Sequence, residues 1–275
     1  MPAHRTEQGH EDAFTFIDLM VVIATLGLLA LMILPALARS GDNGTRMVCV
    51  NNMLQLGMAS NMYATDNQDF IAWPNWDDGR TAGPPGWLYT DTANSIPNPN
   101  LPPYNTNPAG AWQSGLWFKY VQNPKYYLCP IDVESPTYTF HERNNELCSY
   151  VMNGSVCGFA NASSSTSFQD ARITDAWSPA CYLLWEPDEN GLGPGNPGAF
   201  EYNDGANYPS APPYGGEVIS RLHTALGGNL VCVDGSVQFL TFTAWDTLAN
   251  TAAGAGPGPG GKTLVWWNPF GTSGH

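Results

Sequence analysis

The run AFTFIDLMVVIATLGLLALMILPALA, residues 13 to 38, constrains this chain more than any other stretch. From Leu19 to Ala38 it holds 20 residues without a formal charge. At about 1.5 Å per residue a helix of that length reaches about 30 Å, the hydrocarbon thickness of a bilayer. A transmembrane helix is the expected form. A cleaved secretory signal is the rival reading, because Ala36-Leu37-Ala38 offers a small-x-small site before Arg39. Against it, the apolar stretch is longer than a usual signal core, and the preceding MPAHRTEQGHEDA sets one Arg against Glu7, Glu11 and Asp12. Asp18 is the awkward residue. A carboxylate at the centre of a bilayer helix costs about 2.5–3.5 kcal/mol, and less near an edge, so it needs either a partner or a place at headgroup level.

Composition limits what the remainder does. The chain has 275 residues, a net charge of -14 and only 10 Lys and Arg, which excludes the phosphate-neutralising patches of a nucleic-acid binder. Outside the apolar run about 235 residues remain, enough for one elaborated domain or two small ones. Cys49, Cys129, Cys148, Cys157, Cys181 and Cys232 could form up to three disulfides on an exported domain, or stay as buried thiols. No CxxC pair is present, so local spacing gives no support to a zinc or dithiol redox motif.

Beyond the apolar run the pattern changes. SGDNG (Ser40–Gly44) predicts a weak or interrupted helix. Met47, Val50, Leu54, Met58 and Met62 then recur at spacings of three and four, which predicts a helix to about Thr65 with this stripe packed on its own domain. After Asp66 short runs, KYYLCP, SYVMNG, ACYLLWEP and NLVCVDGSVQFLTF, alternate with turn-rich segments, as in an antiparallel sheet. In the last run Asp234-Gly235 between two strand-like pieces predicts a hairpin. The long Pro/Gly-rich stretches read as loops.

These residues carry a family resemblance. AFTFIDLMVVIATLGLLALMILPAL resembles the amino-terminal segment of type IV prepilins and type II secretion pseudopilins, a small residue followed by Phe-Thr-Leu-Ile-Glu and an apolar helix. CVNNMLQLGMASNMYATDNQD, YLCPID and SYVMNG resemble successive blocks of a large bacterial pseudopilin-like group, and HTALGGNLVCVDGSV is similar to its C-terminal His-x9-Asp-Gly motif. In this chain the acid is Asp, the residue before the junction is Ala, the leader is acidic, and ten residues separate His223 from Asp234.

The resemblance implies processing between Ala13 and Phe14 by a prepilin peptidase. Asp18 would pair with the new amine of Phe14, on its own chain or on a neighbour, and Pro35 would be the helix proline of the assembly segment. Two unit charges about 4 Å apart attract by about 4 kcal/mol at an effective dielectric of 20, before desolvation. The implied segments are a leader at 1–13, a transmembrane and assembly helix at 14–38, its continuation at 39–66, and an exported β-rich domain at 67–275. The fold class is α+β, a long N-terminal helix packed on an antiparallel sheet. The implied partners are the peptidase, other pilin or pseudopilin subunits and an inner-membrane assembly platform. The implied location is the inner membrane, single-pass, with the C-terminal domain outside the cytoplasm.

Enzymatic signatures are lacking: the sequence has no G-x-S-x-G, HExxH or P-loop lysine motif. Glu186, Asp188, His223 and Asp234 are candidate ligands near strand ends, although a turn accounts for Asp234 and EPDENG reads as a turn as well. No cofactor is expected, and calcium is the metal favoured by so acidic a domain, although its D-x-[DN]-x-[DN]-G loop is missing. The alternative function is a membrane-anchored adhesive or glycan-binding protein. It would use rings in WPNWDDG, WLYT and WWNPF if they are exposed, whereas the plainer reading has aromatics pinning loops to a small sheet.

Overall fold

A computed structural model describes residues 16–76, 83–90, 95–134, 140–143, 145–160, 168–188, 204–210 and 217–275; of Asp18 and residues 30–43 only the backbone is described. Ala13 and Phe14 therefore lie outside the described residues, as do the side chains of Asp18 and Pro35. The chain divides into two units, Met1–Gly44 and Thr45–His275.

Helix α1 (Phe16–Asp66) begins in the first unit and supplies the first element of the second. In the first unit its described side chains, from Phe16 and Ile17 to Leu28 and Leu29, are exposed and almost all apolar. Among the described residues no helix is long and apolar enough to cross a membrane. The backbone stays helical through Ser40–Gly44, where an interruption was expected. Each glycine costs a helix only about 1 kcal/mol, and propagation from the residues on both sides is cooperative.

In the second unit five strands form a mixed sheet in the order β3-β1-β2-β4-β5: β1 (Val151–Asn153), β2 (Tyr182–Trp185), β3 (Ala206–Asn207), β4 (Gly227–Cys232) and β5 (Val237–Thr241). Three pairings are antiparallel, but β1 and β3 run parallel, so the expected all-antiparallel sheet is corrected. The Asp234-Gly235 hairpin is present. Val231 faces Val237, and Gly235 takes φ +84°, a left-handed conformation for which glycine carries no Cβ penalty.

Side-chain alternation divides the sheet between two cores. Met152, Leu184 and Val231 join Cys49, Met53 and Leu56 of α1 on one face. Val151, Trp185, Leu230 and Cys232 join Trp245 of α5 (Phe242–Ala249), Val265 and Trp266 on the other. The α1 side is fixed by a close approach at Gly57, where an added Cβ would lie 2.8 Å from the Gly235 carbonyl oxygen and 3.0 Å from Val231 Cγ1.

The face of α1 that packs is not the predicted one. Cys49, Asn52, Met53, Leu56, Ala59 and Ser60 are buried, while of the predicted stripe Val50 is half-buried at the margin and Met47, Leu54, Met58 and Met62 are 63%, 38%, 54% and 50% exposed. At about 100° per residue the two sets lie on opposite sides of the helix. The physical reason is the Gly57–Gly235 approach, which sets the side of α1 carrying Gly57, with Met53 and Leu56 beside it, against the sheet and leaves the predicted stripe on the far side.

The remaining short helices are α2 (Gly110–Gln113), α3 (Phe118–Val121) and α4 (Pro130–Glu134). KYYLCP, read above as a strand, is instead a 3-10 turn over Pro124–Tyr127 leading into α4. The Asn123 side chain accepts from the Lys125 N–H, and prolines sit at the starts of both elements, where a missing N–H costs least.

Among the described residues most of the tryptophan rings are buried. Trp73, Trp87, Trp112, Trp117, Trp185, Trp245, Trp266 and Trp267 are all buried. Several indole N–H groups tie loops down: Trp87 donates to Pro74 and Gly205, Trp112 to Leu147, Trp245 to Ser210, and Trp267 to Tyr182.

Candidate metal centre

Four chain segments bring Cys49, Cys129, Glu186 and His223 together, with one ligand atom from each and all four atoms within 4.8 Å of one another. Cys49 lies on the buried face of α1. Cys129 is held opposite by Asn52, one helical turn further on, whose amide donates to the carbonyls of Lys125 (3.3 Å) and Leu128 (2.9 Å). The Cys129 N–H in turn donates to Ser149 Oγ at 2.9 Å. Glu186 follows the last residue of β2, where Pro187 lacks an N–H to extend a ladder, and its carbonyl accepts from Ser220 N–H at 2.7 Å. The short bridge between Pro187 and Ile219 carries the chain on to His223.

His223 Nε2 lies 3.2 Å from Glu186 Oε1 and 3.5 Å from Cys129 Sγ, and the two sulfurs are 2.8 Å apart. The His223 and Glu186 side chains are 2% and 1% exposed, and both cysteines are fully buried. Burial lowers the His223 pKa, but hydrogen bonds from Cys129 and Glu186 outweigh it and push the imidazole up to about 10. Its contact with Cys49, then burial and the Glu186 charge, raise the Cys129 thiol far above its ordinary range. Tyr150 is raised as well, by burial first and then by Cys49, Glu186 and Cys129, which places its phenol in the same electrostatic neighbourhood. Glu186 Oε2, the Tyr150 hydroxyl and His223 Nδ1 are buried without a hydrogen-bond partner.

Of the four ligands suggested by sequence, the structure assembles Glu186 and His223. It removes Asp188, which is buried in an ion pair with Arg221, and Asp234, which is exposed and accepts from Ser236 N–H at 2.9 Å within the hairpin turn. All six cysteines are buried free thiols. A zinc-type donor set thus exists without a CxxC pair, because Cys49 and Cys129 meet across 80 residues of sequence. Two sulfurs and an imidazole suit zinc-class ions, not the all-oxygen shell of calcium. Sequence spacing could not show this, although CVNN and YLCPID, the blocks that hold the two cysteines, already stood out.

No protein-family model matches the chain, and no curated protein or solved structure matches it either.

Proposed function

We propose that this protein is a non-enzymatic, pseudopilin-like subunit, anchored through the first part of α1 and assembled through helix packing into a short envelope filament of a type II secretion or type IV pilus-like machine. The observation that carries the reading is the outward apolar face of α1. Met47, Leu54, Met58 and Met62 are exposed on the side away from the sheet, and the described side chains between Phe16 and Leu29 are exposed and, Thr25 apart, apolar. A globular protein working alone has no use for so much unpartnered apolar helix, whereas a second copy of the same helix, or lipid around the first part, would bury it. A groove of about 510 Å³ lined by Met47, Val48, Tyr126 and Leu128 offers further apolar surface beside α1.

In this reading Asp18 offsets the amine created when a prepilin peptidase cuts between Ala13 and Phe14, and the domain beyond residue 44 lies outside the cytoplasm. The adhesive alternative loses much of its support, since Trp73, Trp87, Trp266 and Trp267 are in the core, Trp76 is half-buried and, of the rings named for it, Phe270 is exposed. The test is assembly. Asp18→Ala should leave the chain in the membrane fraction but remove it from sheared filaments; equal filament yield from the variant and the wild type refutes the pairing role of Asp18.

A further inference from the structure

We infer that Cys49, Cys129, Glu186 and His223 form a structural binding site for one zinc-class divalent ion, which staples α1 to the sheet. This inference is independent of filament assembly.

The donors come close to the geometry of a tetrahedral site. With metal–sulfur bonds of about 2.3 Å and metal–nitrogen or metal–oxygen bonds of about 2.0–2.2 Å, the edges of a tetrahedral site run from about 3.3 to 3.8 Å. The His223–Glu186 and His223–Cys129 separations of 3.2 and 3.5 Å already match such edges. The two sulfurs, 2.8 Å apart, need to separate by about 1 Å, an adjustment within reach of χ1 rotations.

The chemistry argues the same way. Two thiols, a carboxylate and an imidazole from four segments place one ligand atom each within 4.8 Å of the others, and a single imidazole nitrogen lies against both a sulfur and a carboxylate oxygen. That is poor hydrogen bonding but good coordination, since the thiols and the imidazole, once they give up their protons to the binding of the ion, offer lone pairs to the same volume as the carboxylate. His223 already pairs with Glu186 Oε1, but Glu186 Oε2 stays buried without a partner beside two thiols, a cost that a bound cation would offset. A disulfide between Cys49 and Cys129 would leave that Glu186 oxygen unexplained. All four positions come from side chains and the site is sealed, so its role is structural, as in closed four-ligand zinc sites, and not catalytic. Its place in the fold fits: it joins α1 to the end of β2 and to the strap before β4, elements far apart in sequence.

The experiment uses the full chain in detergent, purified without chelator. Elemental analysis should find about one zinc per chain, and cobalt exchange should give sulfur-to-metal charge-transfer absorption that loses about half its intensity or more in Cys129→Ser. Glu186→Gln, nearly the same shape, should weaken zinc affinity by about 10- to 100-fold or more. Should Cys129→Ser not fold, the wild type still decides: chelation should lower its melting temperature and zinc should restore it. Peptide mapping that shows Cys49 disulfide-linked to Cys129, together with a reduced chain that takes up neither zinc nor cobalt, overturns the inference. So does stoichiometric zinc that survives unchanged in both Glu186→Gln and His223→Ala.

Discussion

Asp170 offers the sharpest test of how this domain stores charge. Its carboxylate lies in the segment just before Ala171, which pairs by backbone with Ile71 and Val156, and its Oδ1 is buried without a partner. Burial alone raises its pKa from about 3.8 to about 7. The sign follows from linkage. Between the unfolded pKa, near 3.9, and about 7 the folded state holds a proton that the unfolded state has lost, so stability falls as pH rises through that window and levels off above it. At about 1.36 kcal/mol per pKa unit the full penalty is about 4 kcal/mol, and the partial exposure of Asp170 to solvent reduces the working expectation to about 2–3 kcal/mol. Asp170→Asn removes the ionisation and keeps the shape. Urea unfolding of the full chain in detergent, followed by tryptophan fluorescence, should show the advantage of Asn over Asp growing by about 2–3 kcal/mol between about pH 4.5 and about pH 8. A difference that stays constant across that range would mean that Asp170 is solvated in the folded state, and the reasoning from burial would fail.

Two further perturbations probe the packing. The Arg143–Asp132 pair is closed on both sides, with each side chain 1% exposed, so Arg143→Ala strands a buried carboxylate and should cost about 3–5 kcal/mol by chemical denaturation, whereas a loss below about 1 kcal/mol would show that the pair is hydrated. Gly57→Leu should force α1 off the hairpin, since even a Cβ meets the Gly235 carbonyl oxygen at 2.8 Å; a melting temperature equal to wild type would deny that contact.

How far the fold was legible depended on which physical signal each element used. The hairpin was plain because Asp234-Gly235 demands a left-handed residue between two β-rich runs, and Gly235 takes that conformation. Helix α1 was legible as a helix, but its packed face was not. The methionine stripe and the face that packs both carry apolar residues, and Cys49, Met53, Leu56 and Ala59 of the packed face are interleaved with Asn52, Gly57 and Ser60, which blur its periodicity. The parallel β1–β3 pairing involves only two residues of β3, too short for any pattern. KYYLCP misled because its aromatic content resembles a strand, while the capping by Asn123 and the flanking prolines decide for a turn.

The site was half legible for a similar reason. Glu186 and His223 stand near the ends of recognisable strands, but Cys49 and Cys129 read only as disulfide partners or buried thiols, since nothing local records that Asn52 holds the 125–128 segment against α1. Asp188 and Asp234 looked equally good as ligands until Arg221 and the hairpin turn accounted for them.

The proposed anchoring and assembly rest on how the chain is processed, and mass spectrometry of the mature amino terminus tests this most directly. A chain recovered from membranes should begin at Phe14, with its new amine four residues before Asp18. A chain that begins at Met1, or a soluble one that begins at Arg39, would contradict the pseudopilin-like reading.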